Sequence, residues 1–137
     1  MAKSNRRKFK IVRKPLVSVI IPAYNEEKVI GNLFTSLGKQ TFADTEVVVV
    51  DDASKDRTVE MARKYTRKVY LRRHAERSEQ RNFGAGKADG KFLLFLDADM
   101  RLSPDVINQC VRVFNLGKKV GANYPGGIHS PQFLGKG

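Results

Sequence analysis

Phe92-Leu-Leu-Phe-Leu-Asp-Ala-Asp99 reads as a buried strand that delivers two carboxylates to its far end. Its five consecutive apolar residues show no alternation, as expected of a strand covered on both faces. Two other stretches share this design. Leu16-Val-Ser-Val-Ile-Ile21, apolar but for Ser18, runs into Pro22-Ala-Tyr-Asn-Glu26. Val47-Val-Val-Val50 is a β-branched run that ends in Asp51-Asp52-Ala-Ser54. Val69-Tyr-Leu71 is a shorter strand, and Val120-Gly-Ala-Asn-Tyr124 reads as a fifth.

Helical patterns fill the gaps. Val29, Ile30, Leu33, Phe34 and Leu37 recur at helical spacing behind Glu26-Glu27 and stop at Gly38. Val59, Met61, Ala62 and Tyr65 follow a cap at Ser54 or Asp56. Glu79 to Ala88 is a helix of small residues ended by Gly90. Val106, Ile107, Cys110, Val111 and Phe114 follow the start signal Ser103-Pro104-Asp105. Strand and helix thus alternate four times, which predicts an α/β domain with a mainly parallel sheet and right-handed crossovers. Such a sheet brings the polar clusters at 22–26, 51–54 and 97–99 to one edge, where open α/β sheets bind ligands.

The 137 residues amount to one ordinary domain, and 41% hydrophobic content suffices for a core. Cys110, the single cysteine, lies among apolar residues and reads as a small core residue in a chain suited to a reducing compartment. No run reaches the roughly 20 apolar residues of a membrane span, and no apolar region follows the charged N-terminus as in a secretory signal. Lys3, Arg6, Arg7, Lys8, Lys10, Arg13 and Lys14 supply seven of the twelve net positive charges. This divides the chain into a basic, disordered tail at 1–15, a folded domain at 16–124 and a Gly/Pro-rich tail at 125–137. The basic tail is either simply solvated or attracted to anionic lipid headgroups, which would place the protein in the cytoplasm at a membrane surface. Nucleic-acid binding lacks the interleaved aromatics it uses.

Asp97 and Asp99 suit a hard cation with oxygen ligands, Mg²⁺ or Mn²⁺, completed by substrate phosphates; the alternative is a strand end that caps a helix. Asp51-Asp52 either accept from a base N–H and ribose hydroxyls or form a turn. Pro22, Ala23, Tyr24 and Glu26 either cradle a nucleobase or form an ordinary turn. Arg81, with His74 and Arg77 upstream, either faces phosphate or belongs to a solvated helix face. Gly84-Ala-Gly86 precedes a strand rather than following one, which excludes a dinucleotide loop, and no Walker A sequence is present.

In order, Val17-Ser-Val-Ile-Ile-Pro-Ala-Tyr-Asn-Glu-Glu27, Val48-Val-Val-Asp-Asp-Ala-Ser54 with Asp56-Arg-Thr58, Gln80-Arg-Asn-Phe-Gly84 and Phe92-to-Asp99 resemble a family 2 glycosyltransferase of the GT-A fold. The opening stretch is particularly similar to polyisoprenyl-phosphate glycosyltransferases. The resemblance implies a Rossmann-like sheet with helices on both faces. It implies that Pro22, Ala23, Tyr24 and Glu26 line a nucleotide pocket, that Asp52 contacts the base and that Arg81 lies near the phosphates. Asp97 is implied as a nucleotide or ribose contact and metal neighbour, and Asp99 as the principal ligand of Mg²⁺ or Mn²⁺. The implied activity is transfer of sugar from a UDP- or GDP-sugar to an acceptor such as a lipid phosphate or glycan. The acceptor site and general base are expected beyond residue 137 or on a partner chain, which makes this chain the donor-binding portion. Two alternatives stand beside this reading: a nucleotidyltransferase on a related fold, and a non-catalytic basic module for nucleotides, nucleic acid or membrane surfaces.

Overall fold

Val17–Ala23 forms β1, the middle strand of a five-stranded sheet in the order β3-β2-β1-β4-β5. The computed structural model describes residues 14–73, 76–115 and 132–136. β2 (Thr45–Asp52) and β4 (Phe92–Phe95) pair parallel to β1 on either side, and β3 (Lys68–Arg72) pairs parallel to β2. β5 (Gln132–Gly135) closes the other edge antiparallel to β4. The helices are α1 (Ile30–Gly38), α2 (Thr58–Tyr65), α3 (Arg77–Lys87) and α4 (Val106–Asn115).

Alternation along each strand sorts side chains onto two faces. Val17, Val19, Ile21 and Ala23 of β1 and Val47 and Val49 of β2 face the larger core with α1, α2 and α4. Ile20, Val48 and Val50 face the smaller core, which α3 covers with Phe83 and Ala85. The expected helix faces are the buried ones: Ile30, Leu33, Phe34 and Leu37 on α1, and Val106, Ile107, Cys110 and Val111 on α4. Cys110 is a core residue, and burial pushes its thiol pKa up. The α3 helix lies close to the sheet because residue 84 is glycine. A Cβ there would stand 2.6 Å from Ile20 Cγ2 and 3.1 Å from Val50 Cγ2.

The C-terminal part departs from the sequence reading in one stretch, 132–135. The expected strand at 120–124 lies outside the described residues, as does the basic stretch before residue 14 and His74 and His129. Gln132–Gly135, read as tail, is a strand instead. The reason is tertiary. Phe133 is fully buried and packs with Phe92 and Phe114, at ring-centroid distances of 5.4 and 5.9 Å.

The amino ends of the strands carry a polar latch. Ser18 Oγ donates to Glu46 Oε2 at 2.5 Å, and Gly90 N donates to Ser18 Oγ at 2.7 Å. Lys68 Nζ bridges Glu46 and Asp89 at 2.5 and 2.9 Å. The carboxyl ends are left for the site.

Candidate functional site

The strand order reverses beside β1: the chain steps from β1 to β2 to β3 on one side, then returns to β4 on the other. Crevices at such switch points, outside the carboxyl ends of the strands, are where open α/β sheets bind ligands. The loop after β1 and the turn after β4 meet there.

The loop after β1 is held by the loop after β2. Ser54 Oγ accepts from Asn25 N at 2.8 Å, and Asn25 Oδ1 accepts from Lys55 N at 2.8 Å. Thr58 Oγ1 accepts from Glu26 N at 2.8 Å, and Asp56 Oδ2 accepts from Glu27 N at 3.2 Å. Asn25 and Ala53 take left-handed backbone, with φ of 50° and 59°. Asp56 Oδ1 also accepts from Thr58 N at 2.9 Å, so Asp56 rather than Ser54 serves the start of α2.

Asp51 and Asp52 separate here. Asp51 follows Val47 and Val49 onto the larger-core face, is 1% exposed, and accepts from Ser54 N and Ser54 Oγ at 2.8 and 2.6 Å. It builds the loop. Asp52 follows Val48 and Val50 towards α3, where its Oδ1 accepts from Gln80 Nε2 at 3.1 Å.

Pro22, Ala23, Tyr24, Glu26 and Asp52 line one cavity of about 140 Å³, together with Arg77 and Gln80 of α3. Five of the residues expected at the site are therefore neighbours. Tyr24, 47% exposed, is part of the cavity wall. Arg77 Nη1 donates to Asp97 Oδ1 at 3.1 Å, joining the cavity to the turn after β4. That turn is closed by Met100 N donating to Asp97 O at 3.1 Å. An ion pair this exposed contributes at most about 1 kcal/mol, so its significance is positional.

Glu26 reports the field at this edge. Its carboxyl pKa is raised, first by burial and then by the negative charge of Asp99; Arg77 opposes this, and Asp56 and Asp97 add to it. The carboxylates of three loops act on one another, as a shared strand edge requires. Asp97 and Asp99 supply oxygen donors alone, and among the described residues no set of three or more His, Cys, Asp or Glu forms a metal-holding group. That donor set fits Mg²⁺ or Mn²⁺ completed by phosphate oxygens, rather than a closed zinc site.

Arg81 is held elsewhere. Its Nη2 donates to Gln132 Oε1 at 2.8 Å, and its guanidinium stacks over Phe95 at 4.6 Å. Arg77, one helical turn earlier, is the arginine at the cavity. Gln80 was visible in sequence only as part of a motif. It is 2% exposed, and its Oε1 is the buried side-chain N or O atom left without a partner among the described residues. Such an atom costs about 1–3 kcal/mol to bury. Helical spacing was the available signal, because 77, 80 and 84 share the face that Gly84 presses onto the sheet.

Comparison with known proteins agrees with this fold. The family model for glycosyl transferase family 2 matches residues 18–132. The poly(ribitol-phosphate) beta-N-acetylglucosaminyltransferase TarS of Staphylococcus aureus is 41% identical over 100 residues, covering 66% of this chain and 17% of that protein. The structure of S. aureus TarS 1-349 in complex with UDP superposes with a TM-score of 0.64 at 34% identity, covering 74% of this chain and 32% of that one. The mannosyltransferase PcManGT of Pyrobaculum calidifontis, in complex with GDP-Man and Mn²⁺, gives a TM-score of 0.62 at 26% identity, covering 81% and 37%. The expected GT-A arrangement is therefore the observed one, and the chain spans well under half the length of these relatives.

Proposed function

The chain belongs to glycosyl transferase family 2, and we propose that it is the donor-binding portion of a glycosyltransferase that takes a UDP- or GDP-sugar with a divalent metal. The observation that carries this reading is the convergence of Tyr24, Glu26, Asp52 and Arg77 on one cavity, tied through Arg77 to Asp97. The neighbours support it, since one TarS structure holds UDP and the mannosyltransferase holds GDP-Man and Mn²⁺.

In this mechanism Asp52 accepts a nucleobase N–H and the Tyr24 ring covers the base. Pro22, Ala23 and Glu26 shape the wall behind it. Arg77 turns its guanidinium from Asp97 to the diphosphate, where its charge and planar donors suit phosphate oxygens. Asp99 would be the principal ligand of Mg²⁺ or Mn²⁺, with Asp97 beside it. When bound, the metal supplies Lewis-acid stabilisation of the leaving diphosphate. The general base and acceptor site belong to a further segment or a partner chain, and the acceptor is a lipid phosphate or a glycan. The basic stretch from Lys3 to Lys14 supports action in the cytoplasm at an anionic membrane surface.

Titration calorimetry with UDP and GDP in Mn²⁺ tests the reading. At least one nucleotide binds, and Asp99→Ala weakens it by about tenfold or more. A native chain that binds neither overturns the proposal.

A further inference from the structure

At the end of the sheet away from the cavity, Val17 aligns with Thr45 and with Phe92, and β5 finishes with Gly135 opposite Phe92. Cations gather at this amino end. Lys14, Lys91 and Lys136 flank β1, β4 and β5, and all three are exposed. Arg63 and Lys64 stand in the last turn of α2, and Thr66 just beyond it donates to Val47 O at 2.7 Å. Arg63, Lys64 and the following Arg67 are exposed and make no ion pair among the described residues. The acids at this end are Asp44, Glu46 and Asp89, and the last two already share Lys68. The Asp89 carboxyl pKa is lowered first by the Lys68 hydrogen bond, and the charges of Lys14 and Lys136 add to it, so these cations act on one surface. Helix dipoles favour basic residues at helix C-termini, which accounts for Arg63 and Lys64. They do not account for Lys14, Lys91 and Lys136, which lie at strand ends. The chain that leads into β1 here carries the rest of the basic stretch from Lys3 to Lys14.

We propose that the amino end of the sheet is the face this protein lays against an anionic lipid bilayer, with Arg63, Lys64 and Arg67 meeting the phosphate headgroups. The inference rests on the membrane-surface part of the reading above and gives it a face in the folded domain. A bilayer suits this end better than a nucleic acid for two reasons. The cations are spread over helix and strand ends, as a broad anionic plane requires, rather than along one groove that tracks a backbone. The rings here are also engaged already: Tyr65 stacks on Phe34 at 4.7 Å, and Phe92 lies 4.5 and 5.4 Å from Phe114 and Phe133. Bases therefore meet no interleaved stacking platform among the described residues. Beside α2 an open depression of about 520 Å³ is lined by Arg67, Lys68, Tyr65 and Thr66, and by Glu46, whose charge Lys68 offsets. Its donors suit phosphate oxygens. A protein docked this way holds the donor cavity, at the carboxyl ends of the strands, away from the bilayer.

Co-sedimentation of the full chain with vesicles at one fixed salt concentration tests the face. The native chain binds phosphatidylcholine vesicles that contain about one quarter phosphatidylglycerol, and does not bind phosphatidylcholine alone. Combining Arg63→Gln, Lys64→Gln and Arg67→Gln weakens that binding by about tenfold or more. Lys28→Gln, Lys55→Gln and Arg73→Gln together remove the same charge from exposed residues at the carboxyl ends, and weaken it by less than about threefold. Should the first variant fail to fold, Lys14→Gln, Arg67→Gln and Lys91→Gln together report on the same end, with the same expected loss. Equal effects of the two sets mean attraction by net charge alone, which overturns the face and leaves membrane action standing. A first variant that keeps its vesicle binding but loses binding to a single-stranded RNA oligonucleotide also overturns it, and assigns this end to nucleic acid. A native chain that binds neither kind of vesicle overturns membrane action and the face together, and leaves donor binding, measured without vesicles, untouched.

Discussion

Asp51 and Asp52 are adjacent carboxylates with different work, and the pleat of β2 decides which does which. Asp51 holds Ser54 through both oxygens, so Asp51→Ala leaves the Ser54 N–H and hydroxyl without their acceptor. The expected loss of stability is about 1–3 kcal/mol, read from urea denaturation. Next to it, Ala53 sits at φ 59°, a conformation that disfavours a Cβ. Ala53→Gly removes that strain at some entropic cost, with an expected net gain of about 0.5–1 kcal/mol. From sequence the pair was one cluster with two open readings. The turn reading holds for Asp51, whereas Asp52 lines the cavity, where a base contact is the proposal.

At the scale of elements, α3 is placed by a missing side chain. Gly84→Ala puts a Cβ against Ile20 and Val50, both fixed by the sheet, so the helix must move outward. The expected cost is about 1–3 kcal/mol in a denaturant titration. Nucleotide binding should weaken as well, since Arg77 and Gln80 travel with the helix. A helix was legible at 79–88, but not which face met the sheet, because few of its residues are large and apolar. β5 illustrates the opposite case. Four residues in a Gly/Pro-rich stretch carry no strand signal of their own, and Phe133 becomes part of a strand only by filling the space between Phe92 and Phe114. Phe133→Ala should therefore cost about 3–5 kcal/mol, whereas a tail residue would cost nothing; thermal unfolding distinguishes the two.

For the whole molecule, the candidate site and the polar latch sit at opposite ends of one sheet. At the amino ends, burial raises the Glu46 carboxyl pKa, but hydrogen bonds from Lys68, Ser18 and the Asp89 amide outweigh it, and the net shift is downward. A lowered folded pKa contributes stability that is present above the ordinary value of 4.5 and is lost as pH falls through the folded value. Stability should thus decline on the acid side of 4.5, and Glu46→Gln should flatten that limb while lowering the plateau above it; urea midpoints measured across pH check this. The sequence by itself determined the alternation of strands and helices, the two buried helix faces, and the arrival of three polar clusters at one edge. Those follow from local periodicity and from the direction that a parallel sheet imposes. Tertiary structure alone decided that Arg77 rather than Arg81 lines the cavity, that Gln80 is committed to Asp52, and that 132–135 joins the sheet. Such outcomes depend on helix distance and aromatic packing between residues far apart in the chain, and neither leaves a periodic trace in sequence.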